Sequence, residues 1–167
     1  ADILLENNIG VVYGGGAVGL MGCIASRYIE RGGRIRGVIP DFMVKVEWAH
    51  PGVEDLLIVK DMHERKKKLI ENTDAVIALP GGTGTLEELM EILALKRLGK
   101  FLKPVILLNT EGFYDTLVTF FQSMVKEHFL RQEHLDAYKV VDYPKEVIPA
   151  ILSAPRWNED VINNAPV

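Results

Sequence analysis

Twice in this chain an apolar run ends in a cluster of glycines, and the glycines lead into a helical pattern. Val11-Val12-Tyr13 runs into Gly14-Gly15-Gly16-Ala17-Val18-Gly19, and Ala75–Leu79 runs into Pro80-Gly81-Gly82-Thr83-Gly84-Thr85. A strand that turns directly into a helix opens a crossover to a parallel neighbour, so both segments commit the chain to a parallel sheet covered by helices. Ligands of such sheets sit beyond the carboxyl ends of the strands, where both turns fall.

The remaining pattern agrees. Strands are expected at Ile9–Tyr13, Ile35–Ile39, Leu56–Val59, Ala75–Leu79, Pro104–Leu108 and Tyr138–Val141. Helices are expected at Leu20–Arg31, Met62–Asn72, Leu86–Leu98, Phe113–Glu127 and Lys145–Leu152. Leu86, Leu89, Met90, Leu93 and Leu98 repeat near the helical period. Phe42–Glu54, with Trp48, His50 and Pro51-Gly52, is irregular. The expected architecture is α/β, a Rossmann-like parallel sheet with helices on both faces. Residues 1–153 are expected to form a single nucleotide-binding domain and 154–167 a tail. The opening ADILLENNIG reads as a helix end feeding a strand, so a first strand is expected to precede it.

Bulk properties narrow the function. The 167 residues are 48% hydrophobic, enough for one packed core, and the net charge is −4, which disfavours a general nucleic-acid surface. A lone cysteine, Cys23, rules out a disulfide framework and a cysteine zinc cluster, and suits a reducing cytoplasm. Cys23 is expected to be a small buried hydrophobe within its helix. The four histidines show no metal-ligand spacing. No apolar run is long enough to span a membrane.

Gly14, Gly16 and Gly19 form a GxGxxG pattern between strand and helix, suited to close approach of a phosphate. Asp41, after the next strand, stands where a ribose-binding acid would in a dinucleotide fold, which keeps a nicotinamide cofactor open. The second turn poses a conflict. Backbone N–H groups and the helix dipole favour an anion there, yet Glu87 and Glu88 follow within the same helix start. One solution is structural: Thr85-x-x-Glu88 matches a capping box, with Thr85 as N-cap and Glu88 reaching back to it. The other is that the carboxylates serve a different part of a ligand whose phosphate rests on the glycines.

The segment Asp61-Met62-His63-Glu64-Arg65-Lys66-Lys67-Lys68 opens a helix at another strand end. Lys67 and Lys68 read as solvated. Arg65 offers a permanent, bidentate grip for a phosphate or ribose hydroxyl. His50 and His63 could contact a base or move a proton. Trp48 could stack on a base or pack in the core, and Met21 and Met90 read as core filler.

Taken together, YGGGAVGLMG, MHERK and PGGTGTLEE resemble the signature of the LOG (Lonely Guy) proteins, cytokinin-activating phosphoribohydrolases whose relatives have been labelled lysine decarboxylases. EWAH at Glu47–His50 is similar to that family's substrate loop. The resemblance runs from about Ala1 to Leu152. It implies cleavage of the N-glycosidic bond of an adenine-type nucleoside 5′-monophosphate, cytokinin or AMP, to a free base and ribose 5-phosphate. It implies Arg65 and Glu88 as catalytic residues. It also implies a substrate- and phosphate-binding set of Gly14, Gly15, Gly16, Gly19, Met21, Gly22, Lys66, Gly81, Gly82, Thr83, Gly84, Thr85 and Glu87. No cofactor or metal is implied, and the expected assembly is a homodimer or larger homo-oligomer. The competing readings are a non-catalytic nucleotide or molybdenum-cofactor carrier of this fold and a nicotinamide-dependent enzyme. A pyridoxal-phosphate decarboxylase is the weakest, since no lysine has a recognisable Schiff-base setting.

Overall fold

The structure, a computed structural model, describes residues 1–44, 46, 49–157 and 159–164, with side chains as far as residue 161. Glu47 and Trp48 therefore lie outside the described residues. The chain gathers into two compact units, residues 1–73 and 74–167.

The first unit runs α1 (Asp2–Glu6), β1 (Val11–Tyr13), α2 (Gly19–Glu30), β2 (Ile35–Pro40), β3 (Leu56–Val59) and α3 (Met62–Ile70). Its three strands form a parallel sheet in the order β1-β2-β3, with Tyr13 beside Gly37 and Gly37 beside Leu56. Gly37 to Pro40 are all buried. Successive strand residues face opposite ways, so both faces of β2 are covered. Tyr13, Ala25 and Val53 form the core with Val11, Met21 and Ile35 packed against them.

Helix α2 buries Gly22, Ala25 and Tyr28, a stripe of period three. Cys23 falls off that stripe and is exposed, which overturns the expectation that it is buried. Helix α3 ends at Ile70, short of the expected Asn72, because Asn72 takes a left-handed φ of 59°.

The second unit runs β4 (Val76–Ala78), α4 (Thr83–Arg97), β5 (Val105–Leu108), α5 (Asp115–Lys126), β6 (Lys139–Val141) and α6 (Val147–Leu152). Its sheet is also parallel, ordered β4-β5-β6. Strand β5 is buried along its whole length, and Ile106 and Leu108 pack with Val147 and Ala150 of α6. Helix α4 buries Leu89, Ile92 and Lys96. Trp157 docks on its C-terminal end. Trp157 Nε1 donates to the Lys96 carbonyl at 2.7 Å, and the Lys96 ammonium lies 4.9 Å from the Trp157 ring centre.

The expected α/β architecture is thus present, with parallel strands and helical crossovers in each unit. All six strands stand where the apolar runs place them, trimmed or extended by a residue or two.

Candidate active site

In the first unit the site is built at the carboxyl ends of β1 and β2. Arg65 lies on α3 and is only 6% exposed. Its Nη2 donates to the Gly14 carbonyl at 3.0 Å and its Nε to the Val38 carbonyl at 3.3 Å. A Cβ at position 14 would collide with that guanidinium and come within 3.2 Å of Met21 Sδ. Glycine is therefore required at Gly14 by the arginine itself. Gly15, with φ of 82°, passes its carbonyl to the His50 N–H at 3.1 Å, and Gly16 bridges to Ala49. The first turn is thereby held from two directions, by α3 and by the segment before β3.

The start of α3 is well capped. Asp61 Oδ1 accepts the Glu64 N–H at 2.8 Å, and Glu64 Oε2 accepts the Lys60 N–H at 3.0 Å. The Glu64 N–H, the largest influence, holds the Asp61 carboxyl below its usual range. Met62 adds a contact from its sulfur to Arg65 Nη1 at 3.9 Å. Lys66 follows, half-buried, and His63 is exposed. Of the other predicted members, Met21 packs on the core beside Gly14, as its reading as core filler expects. Gly22 has a structural reason, since a Cβ there would strike the Ala17 carbonyl. Gly19 opens α2 at φ of 60°.

His50 is committed locally. The Gly52 N–H donates to its Nδ1 at 3.2 Å, which leaves the proton on Nε2, 3.0 Å from Ser26 Oγ. The imidazole is thus the donor to Ser26, the wrong polarity for activating that hydroxyl.

In the second unit the register of the glycine turn differs from the capping-box expectation. Helix α4 begins at Thr83, with Gly82 as its N-cap. Thr85 is the third helical residue and cannot be the N-cap, so the Thr85–Glu88 box does not form. Thr85 instead leans on Gly81, where any Cβ would collide with its hydroxyl. Glu87 and Glu88 move into the second helical turn, exposed and half-buried respectively. The first turn, Thr83 to Leu86, carries no acid. The conflict between carboxylates and an anion site is therefore relieved by one turn of helix.

Gly82 and Gly84 differ from Gly81. A Cβ at either would meet no described atom within 4 Å, and neither has a left-handed φ. Glycine suits the N-cap position at Gly82, but at the helical position Gly84 the packing of the chain gives no reason for it, although glycine costs a helix roughly 1 kcal/mol relative to alanine. Space kept clear at a strand end beside uncapped helix N–H groups suits a ligand oxygen that approaches the backbone.

Two residues behind this turn escaped the sequence reading. Tyr114, 1% exposed, donates its hydroxyl to the Leu79 carbonyl at 2.6 Å. Asn109, at the end of β5 and 6% exposed, accepts the Tyr114 N–H at 2.6 Å. A polar residue closing the apolar run Val105–Leu108 was the available signal. Among the described residues no group of His, Cys, Asp and Glu could hold a metal, and no helix is long and apolar enough to cross a membrane.

Residues 21–151 match the family model described as possible lysine decarboxylase. A cytokinin riboside 5′-monophosphate phosphoribohydrolase of Arabidopsis thaliana is 37% identical over 162 residues, 97% of this chain and 71% of that protein. The chain belongs to the LOG family. A probable enzyme of the same name from Oryza sativa subsp. japonica is 42% identical over 161 residues, 96% of this chain and 66% of that protein. A second Arabidopsis thaliana relative is 45% identical over 130 residues, 78% of this chain and 61% of that protein. This LOG-family chain thus spans about two thirds of the length of these relatives. The decarboxylase label fits its lysines poorly. Lys96, the one buried lysine among the described residues, donates to the Lys103 carbonyl at 2.8 Å beneath Trp157, at the end of α4 away from the glycine turn.

Proposed function

We propose that this chain hydrolyses the N-glycosidic bond of an adenine-type nucleoside 5′-monophosphate, AMP or a cytokinin riboside monophosphate. The products are the free base and ribose 5-phosphate. The observation that carries the reading is the buried Arg65 guanidinium locked to Gly14, which brings a permanent positive charge to a glycine turn at a strand end. The names of the relatives supply the reaction class.

In the reaction the bond from C1′ to the base nitrogen breaks, and its electron pair leaves with the base. Positive charge grows on the ribose ring, and water adds its oxygen to C1′. Glu88 is the carboxylate that stabilises the cationic sugar and orients or deprotonates that water, with the proton ending on the departing base. Arg65 grips the phosphate or ribose and keeps the nucleotide in register. Gly81, Gly82, Thr83, Gly84 and Thr85 cradle the phosphate with backbone N–H groups and hydroxyls. The glycines of the first turn, with Met21 and Lys66, complete the binding set, and Glu87 supports Glu88.

The working assembly is a homodimer or larger homo-oligomer in the cytoplasm. Support comes from an apolar groove of about 310 Å³ lined by Met90, Leu93, Phe121, Met124 and Tyr138, and from the single cysteine. The deciding experiment incubates the protein with AMP and with isopentenyladenosine monophosphate and separates the products by chromatography. Release of free base from either supports the reading, and the ratio gives the preference. Tight nucleotide binding with no base released would favour the carrier.

A further inference from the structure

The second glycine turn is approached from behind by a short chain of hydrogen bonds that runs from exposed carboxylates to the buried Asn109 and Tyr114. The ladder between β4 and β5 ends at Ala78 and Leu107. The next carbonyl, that of Leu79, lies beyond the ladder and immediately before Pro80-Gly81. It is taken by the Tyr114 hydroxyl at 2.6 Å, the shorter end of the range for such bonds. Tyr114 is fixed in turn by its backbone, whose N–H donates to Asn109 Oδ1. The Asn109 amide nitrogen donates to Asp115 Oδ1 at 2.8 Å and Asp142 Oδ1 at 3.2 Å. The Asn109 N–H also bonds to the Val141 carbonyl at 2.7 Å, which ties the assembly to the end of β6. The backbone between Asn109 and Tyr114 is wound tightly enough to put Glu111 at φ of 56° and Gly112 at φ of 72°. Such conformations persist only where the surroundings over-determine them.

The only part of the Tyr114 side chain that a hydrogen-bonding argument needs is its oxygen, since a phenylalanine would fill the same apolar space. Burial raises the phenol above its ordinary titration range, so the group remains a donor at neutral pH. The bond falls on the residue from which the turn departs. A small swing of that carbonyl would carry Gly81, Gly82 and the first N–H groups of α4 with it.

We propose that Tyr114 is a positioning residue for the phosphate-binding turn, acting through the Leu79 carbonyl with Asn109 as its anchor. This rests on the reading of Gly81–Thr85 as the phosphate cradle. The role predicts an effect confined to ligands that carry the 5′-phosphate.

The test is calorimetric binding of ribose 5-phosphate and of adenosine to the wild-type chain, Tyr114→Phe and Asp142→Ala. Tyr114→Phe is expected to weaken ribose 5-phosphate by about tenfold, as the loss of one well-made, part-buried hydrogen bond allows, while adenosine binding is unchanged. Asp142→Ala, an exposed residue that removes one of the two Asn109 acceptors, is expected to give a smaller loss of the same kind. Phe113→Ala serves as a control. Phe113 meets the Tyr114 ring edge-on at 5.1 Å but contributes no hydrogen bond to Leu79, so it should lower the melting temperature and leave ribose 5-phosphate binding intact. Wild-type affinity in Tyr114→Phe, or an equal loss for adenosine, overturns the proposal. A wild-type chain that binds ribose 5-phosphate but releases no base from nucleotides would sink the hydrolase reading and leave the positioning role standing. A wild-type chain that does not bind ribose 5-phosphate sinks both the cradle and the role.

Discussion

The Arg65 guanidinium donates to the carbonyl of Gly14, 51 residues away in sequence, at 3.0 Å. This bond joins the opening of α3 to the glycine turn after β1. It makes the arginine a structural member of the turn as well as a source of charge, and the two roles lead to separable expectations.

Arg65→Ala should lower stability by about 2–3 kcal/mol, since it removes charged donors from the buried Val38 carbonyl and the part-buried Gly14 carbonyl. It should also weaken both nucleotide binding and turnover. Arg65→Lys should rescue neither, because a single ammonium cannot reproduce the fork that meets Gly14 and Val38. Chemical denaturation and steady-state kinetics with AMP check the two halves. Wild-type kcat/KM in Arg65→Lys would remove the guanidinium from the mechanism.

Gly84→Ala separates folding from function in the opposite sense. The position is helical, has no left-handed φ, and offers open space. Alanine should raise stability by about 0.5–1 kcal/mol. If the phosphate approaches there, affinity for ribose 5-phosphate should fall at the same time. A stabilised variant with unchanged affinity would place the phosphate elsewhere.

Glu88→Gln should reduce AMP hydrolysis by on the order of a hundredfold or more while leaving nucleotide affinity nearly intact. The substitution keeps the shape of the side chain and removes its charge. Retained turnover would defeat the assignment of Glu88. Circular dichroism excludes unfolding as the cause of any loss.

Lys96 gives a prediction in pH. Burial pushes its ammonium down to about 8, whereas an unfolded lysine titrates near 10.4. Between those values the unfolded chain holds more protons than the folded one, so this residue makes stability rise with pH across the window. Below pH 8 the charged form is present in both states and the burial penalty is complete. Unfolding free energies of the wild type and Lys96→Met, compared from pH 8 to 10, should diverge in slope, with the upward trend lost in the variant. The window stops at 10 because Tyr28 and Tyr114, both raised by burial, work in the opposite direction above it.

The strands and the two glycine turns were legible because their signals are local: short apolar runs closed by residues that favour a sharp turn. The position of Arg65 beside the first glycine turn was legible for the same reason, at the start of a helix that follows a strand. The helix start at Thr83 was harder to read. Thr85-Leu86-Glu87-Glu88 is a valid capping box in isolation, and only the geometry after β4 selects Gly82 as the cap instead. Cys23 was misplaced because the buried face of α2 is the stripe Gly22, Ala25 and Tyr28, and Cys23 falls off it while Leu20 and Ile29 are also left exposed. Apolar character alone was there a poor guide to the buried face. Lys96 was invisible as a buried group because its cover is Trp157, 61 residues away. The support from Tyr114 and Asn109 is likewise a relation between separate elements, and no periodicity reports it.

The two carbonyls of the first glycine turn that Arg65 and His50 already hold have a thermodynamic consequence. A loop that must stiffen around its ligand loses conformational entropy at the moment of binding, and that loss subtracts from affinity. Here the stiffening belongs to folding. Any ligand that reaches Gly14–Gly16 meets a surface whose shape is already set, so its binding should show little ordering penalty and a small change in amide exchange across the turn.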